Sequence, residues 1–73
     1  MFEEVVKALS EQLNIPKEKI KPENEIVKDL GADSLDLVEL LMTLEDKTGK
    51  TIPEEKVGDL KTVGDVVKLL ENL

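Results

Sequence analysis

The run Asp29-Leu30-Gly31-Ala32-Asp33-Ser34-Leu35-Asp36 places one hydroxyl, that of Ser34, at the start of an acidic amphipathic stretch. A helix start presents unpaired N–H groups and a partial positive charge. A negatively charged group on Ser34 would gain about 0.3–1 kcal/mol there at an exposed site. Asp33 and Asp36 act in the opposite direction. Their charges repel an anion held at Ser34. The simpler role for the same residues is a cap, with Asp33 or Ser34 at the helix start and Asp36 completing a capping pair. Capping and modification are compatible.

Catalysis by the chain itself is excluded by what is missing. There is no histidine, cysteine, tyrosine or tryptophan, so Ser34 has no histidine base. Gly31-Ala32-Asp33-Ser34 is not the Gly-x-Ser-x-Gly elbow. The acids that follow lack the spacing of a calcium-binding EF-hand loop, so no dedicated metal site is expected, only loose attraction for divalent ions.

The helix after Ser34 carries two apolar stripes. With Leu35 at zero and about 100° per residue, Leu37, Leu40, Leu41 and Leu44 fall between about 140° and 240°, a face wide enough for a core. Leu35, Val38 and Met42 fall between about 300° and 360°, bordered by Glu39, Glu45 and Asp46. Acids do not border a fully buried surface without partners, so this second stripe is expected to be exposed. Leu35 is expected to be the best covered of the three, under the preceding loop. Charge supports the exposure: residues 33–46 hold five acids and no lysine, which is −5 of the chain's −7. Such a field attracts basic partners and repels nucleic acid and anionic membranes.

The remaining residues form a scaffold for this helix. At 73 residues, with 37% charged and 40% hydrophobic side chains and no long apolar run, the chain is expected to be a single globular domain over 1–73 without membrane insertion. No secretory leader is visible, and the termini suggest a free-standing protein. Phe2, Val5, Val6, Leu9 and Leu13 share one helical face, with Glu3 and Lys7 paired on the solvent side. Residues 14–33, broken by Pro16, Pro22 and Gly31, read as a long loop pinned by Ile15, Ile20, Ile26, Val27 and Leu30. Gly49 stops the second helix, and Ile52-Pro53-Glu54-Glu55 starts a short third one. Thr62 and Asp65 form a capping pair ahead of Val63, Val66, Val67, Leu70 and Leu73 on one face of the last helix. The expected fold is all-α, a small four-helix bundle of three longer helices and a short third one, with a long first loop.

Asp29-Leu30-Gly31-Ala32-Asp33-Ser34-Leu35-Asp36, followed by Val38-Glu39-Leu40, Ile52-Pro53 and Thr62-Val63, closely resembles the acyl carrier proteins of fatty acid synthesis, over nearly the whole chain. The resemblance implies a four-helix bundle, in agreement with the scaffold. It also implies a 4′-phosphopantetheine group on Ser34, attached from coenzyme A by a phosphopantetheinyl transferase, with Asp33 and Leu35 beside it and acyl chains carried on its thiol as thioesters. The protein would then be a phosphoprotein of fatty acid biosynthesis, cytoplasmic in the bacterial manner and monomeric. Its second helix would dock basic-surfaced enzymes through Asp36, Val38, Glu39, Met42, Glu45 and Asp46. By family position the acyl pocket would be lined by Leu44, Ile52, Val57, Leu60 and Val66. Thr48 departs from the phenylalanine that many members carry, and Val57 from a common alanine, which bears on cargo length. Lys61 and Gly58 also depart. An aminoacyl or polyketide carrier would share Ser34 and the fold, and an unmodified adaptor would use only the acidic apolar stripe.

Overall fold

In a computed structural model that describes residues 1–73, the three long apolar periodicities fold as helices. These are α1 (Phe2–Leu13), α2 (Ser34–Thr48) and α4 (Val63–Glu71), with the short α3 (Glu54–Val57) between the last two. α1 lies against both α2 and α4. Side chains of all three meet in one cluster of fourteen buried residues centred on Val5, Leu9, Leu40, Leu44, Val63, Val66 and Leu70. α3 contributes no buried residue.

Each helix ends where local chemistry dictates. Asn14 closes α1 in the left-handed region (φ 57°), and Gly49 closes α2 in the same way (φ 72°). Thr62 caps α4: its hydroxyl accepts from Asp65 N–H at 3.1 Å, and the Asp65 carboxylate accepts from Thr62 N–H at 2.9 Å. These backbone donors, foremost Thr62 N–H and then Lys61 N–H, hold the Asp65 carboxyl below its ordinary value. Pro53 stands one position before α3 rather than within its first turn.

The first loop is more ordered than its prolines suggest. Lys17–Lys19 forms a 3-10 turn, and Ile20, Ile26 and Ala32 are buried. A single antiparallel bridge pairs Glu25 with Thr62. Around it Ile26 N–H donates to Lys61 O (3.0 Å), Val63 N–H to Asn24 O (3.0 Å) and Gly64 N–H to Pro22 O (2.9 Å). Gly64 eases this approach, because a Cβ there would make a tight 3.2 Å contact with Pro22 O. Lys61 also pairs with Glu25 at 3.7 Å, so its departure from the common family residue has a structural use.

Several expected contacts are absent. Phe2 and Leu73 lie on the apolar faces of α1 and the last helical segment but are exposed, each close to a chain end. Val27 is exposed as well and anchors nothing. Glu3 and Lys7 do not pair. Lys47 reaches Glu11 instead at 3.9 Å, joining α2 to α1. A surface pair of this kind is weak and does not shape the fold.

Candidate functional site at the head of the second helix

The turn that delivers Ser34 is built from three neighbours. Gly31 takes a positive φ of 77°, which lets the chain reverse. Ala32 is buried and anchors the approach. Asp33, in extended conformation, is the N-cap: its carboxylate accepts from Asp36 N–H at 2.9 Å, while Asp36 accepts from Asp33 N–H at 3.2 Å. Both aspartates thereby satisfy helix-start donors. Ser34 is the first residue inside the helix, exposed, and is not required as a cap. Its hydroxyl makes no hydrogen bond to the protein and is free for chemistry. From α1, Gln12 Nε2 donates to the Asp36 carbonyl in this same turn.

Down the helix the two stripes separate as their angles require. Leu40, Leu41 and Leu44 are buried and Leu37 is half-buried. Leu35, Val38 and Met42 are 66%, 47% and 60% exposed. Leu35 is therefore the least covered of the three, contrary to expectation. Glu39 and Asp46 are exposed beside this stripe. Glu45 is different: half-buried, it accepts from Ile52 N–H at 2.7 Å and ties the chain after α2 back onto the helix.

Beside the stripe lies a groove of about 550 Å³, walled by Val38, Leu41, Met42 and Glu45 of α2 and by Thr51, Ile52, Glu54 and Val57 across from them. Of the five residues expected to line an acyl pocket, Ile52 and Val57 stand on this groove. Leu44 and Val66 are instead fully buried in the core. Leu60, half-buried, faces a separate shallow depression with Lys56 and Asp59. The difference follows from helical angle: Leu44 belongs to the core stripe, whereas Val38 and Met42 face the groove. Thr48, which departs from the phenylalanine that many members of the resembled family carry, donates its hydroxyl to Leu44 O at 2.7 Å and accepts from Lys50 N–H at 3.3 Å.

Two residues escaped the sequence reading. Gly64 interrupts a good helical run, a propensity fault that marks a close contact. Gln12 falls, by helical angle, at the edge of the apolar face of α1, where a polar side chain needs a partner. No group of three or more acidic side chains is placed to hold a metal ion. No helix is long and apolar enough to cross a membrane.

Comparison with known proteins agrees with this geometry. The family model for the phosphopantetheine attachment site matches residues 3–70. The chain is 51% identical over 72 residues to the acyl carrier protein of Helicobacter pylori (strain G27), covering 99% of this chain and 92% of that protein. It is 44% identical over 73 residues to the acyl carrier protein of Sulfurovum sp. (strain NBC37-1), covering 100% and 97%. A solved structure described as an acyl carrier protein from Mycobacterium tuberculosis superposes with a TM-score of 0.90 at 31% identity, covering 97% of this chain and 95% of that one. By family match, near-complete coverage and shared all-helical fold, the chain belongs to the acyl carrier proteins, non-catalytic carriers that hold acyl groups on a 4′-phosphopantetheine prosthetic group.

Proposed function

We propose that residues 1–73 form one attachment domain, that Ser34 is its point of modification, and that the cargo is the growing fatty acyl chain. The observation that carries this reading is the division of labour at the head of α2. Asp33 and Asp36 meet the helix-start donors, so Ser34 is left exposed with an unspent hydroxyl. The residues fit a phosphodiester-linked arm: the oxygen is accessible, the helix start favours the phosphate, and the adjacent acids turn the arm outward. When bound, 4′-phosphopantetheine supplies the thiol on which acyl chains are held as thioesters.

The exposed stripe and its acids support transient docking of the transferase and of basic-surfaced synthesis enzymes. Full burial of Leu35, Val38 or Met42 is worth about 1.5–3 kcal/mol each, and each is already partly covered. Association costs about 4–15 kcal/mol, so these three side chains alone give weak binding, which a shuttle requires. Asp36, Glu39 and Asp46 then contribute orientation and encounter rate. Glu45, engaged by Ile52 N–H, contributes its charge but not a free carboxylate. Ile52 and Val57 are the expected residues that can meet cargo in the groove. The domain works in this reading as a cytoplasmic monomer.

Intact mass after incubation with coenzyme A, magnesium and a broad-specificity phosphopantetheinyl transferase tests the central step. One added phosphopantetheine in the parent and none in Ser34→Ala is the expected result. No addition to a folded parent would overturn it and leave an unmodified adaptor. Thioesters of aminoacyl or polyketide type found on the isolated holo-protein would overturn the fatty acyl cargo while keeping Ser34.

A further inference from the structure

The head of α2 is held in place by few contacts. Ser34 and Leu35 are exposed, Asp36 and Leu37 are half-buried, and the first fully buried residue of the helix is Leu40. The capping box joins Asp33 to Asp36, so it stiffens the turn but moves with it. The loop before it is tied to the start of α4 at residues 22–26, but its last turn is bonded within the loop, with Gly31 N–H donating to Val27 O (3.1 Å) and Ala32 N–H to Ile26 O (3.1 Å), and only the buried Ala32 anchors it near the helix head. A single side-chain hydrogen bond reaches this turn from another helix, the one from Gln12 Nε2 on α1 to the Asp36 carbonyl. Gln12 is half-buried between the two helices and its donor points at the turn that carries Ser34.

We infer that Gln12 is a positioning residue for the modification of Ser34, an inference that rests on the assignment of Ser34 above. In that reaction Ser34 Oγ bonds to the β-phosphorus of coenzyme A. The phosphoanhydride bond breaks, adenosine 3′,5′-bisphosphate leaves, and the hydroxyl proton passes to a base of the transferase. In-line attack requires the Oγ to approach from one direction, and misplacement by about 1 Å costs up to about a hundredfold in rate. Gln12 fixes the rotation of the first turn against α1 and so fixes that direction. Most of the docking stripe, from Val38 to Asp46, lies further along α2, beside the buried Leu40, Leu41 and Leu44; only Leu35 and Asp36 share the first turn with Ser34. Loss of the Gln12 bond is therefore expected to lower the rate of the chemical step without weakening encounter.

The test compares the parent, Ser34→Ala, Gln12→Met, Gln12→Glu and Gln12→Ala with coenzyme A, magnesium and a broad-specificity transferase. The readouts are single-turnover rate with transferase in excess, steady-state KM for the carrier, and thermal midpoint. Gln12→Met keeps the side-chain length without the donor. It is expected to slow single turnover by about tenfold with KM within about twofold of the parent. Gln12→Glu sets a carboxylate against the carbonyl and should slow it further. Should Gln12→Ala fail to fold, Gln12→Met decides the matter. Parent-like turnover in folded Gln12→Met overturns the role of Gln12 alone, and a raised KM at unchanged turnover overturns it in favour of docking. An unmodified parent overturns the Ser34 assignment, and this inference with it.

Discussion

Asp33 combines a hydrogen-bonding task with a charge, and two substitutions separate them. Asp33→Ala removes the oxygen that accepts from Asp36 N–H at 2.9 Å, and loss of an N-cap costs about 1 kcal/mol within a range of about 0.5–2. Unfolding entropy of about 2.1 cal/mol/K per residue gives about 0.15 kcal/mol/K for a chain of 73 residues. The expected fall in Tm is then about 6 °C, within the roughly 4–8 °C typical of a domain this size. Asp33→Asn keeps a side-chain oxygen in the same place, and asparagine caps as well as aspartate. It gives up part of a helix-dipole interaction worth about 0.3–1 kcal/mol, offset by relief of the like-charge contact with Asp36. Its Tm should therefore stay within about 3 °C of the parent. Both variants lose the charge, so both should raise the transferase KM by a similar factor, most visibly at low salt. Thermal unfolding followed by far-UV circular dichroism, beside the transferase assay, reads both quantities. Equal Tm losses in the two variants would refute the capping argument and show that charge alone stabilises the turn.

Leu44→Ala should cost about 2–5 kcal/mol, against a total stability of about 4–11 kcal/mol for a chain this long, because Leu44 is a core residue. A denaturant titration showing less than about 1 kcal/mol would instead place it on a forgiving cavity wall. Val38→Lys, at an exposed position, should change stability by no more than about 0.5 kcal/mol while slowing acyl transfer by a basic-surfaced synthesis enzyme at least tenfold; unchanged transfer would remove Val38 from the docking surface. Asp65→Asn should lower Tm at neutral pH, because the carboxyl of Asp65 is held below its ordinary 3.8 in the fold. That contribution is complete above about pH 5 and is lost as pH falls through the lowered folded value, so the two Tm curves should converge in acid. Curves that stay parallel would show that the charge on Asp65 adds nothing.

Periodicity was enough for the helices because each long one buries a stripe, and Thr62 with Asp65 is a cap pair whose spacing is local. The exposed stripe of α2 was legible for the same reason, since Val38 and Met42 lie at angles that the core cannot use. Other features depend on partners far away in the chain. The bridge between Glu25 and Thr62 joins residues 37 apart, and no local pattern announces it. Leu44 and Val66 were assigned to a pocket by family position, while the groove is set by the path of the 51–57 segment, which no helical period encodes. Leu35 was expected under a loop whose direction is fixed by one positive φ at Gly31. Gln12, an amide on a helix edge, carries no role in the sequence until the carbonyl it meets is known.

The short α3 adds nothing buried to the core, yet its segment forms one whole side of the groove. Of this side of the groove, only Ile52 also belongs to the core. Replacements at Thr51 or Glu54, both exposed, can change the size and polarity of that side at little cost to the three-helix frame, since exposed positions tolerate substitution within about 0.5 kcal/mol. Under the proposed function, the exposed part of the wall opposite α2 is where divergence or design can refit the carrier to a different load without refolding it.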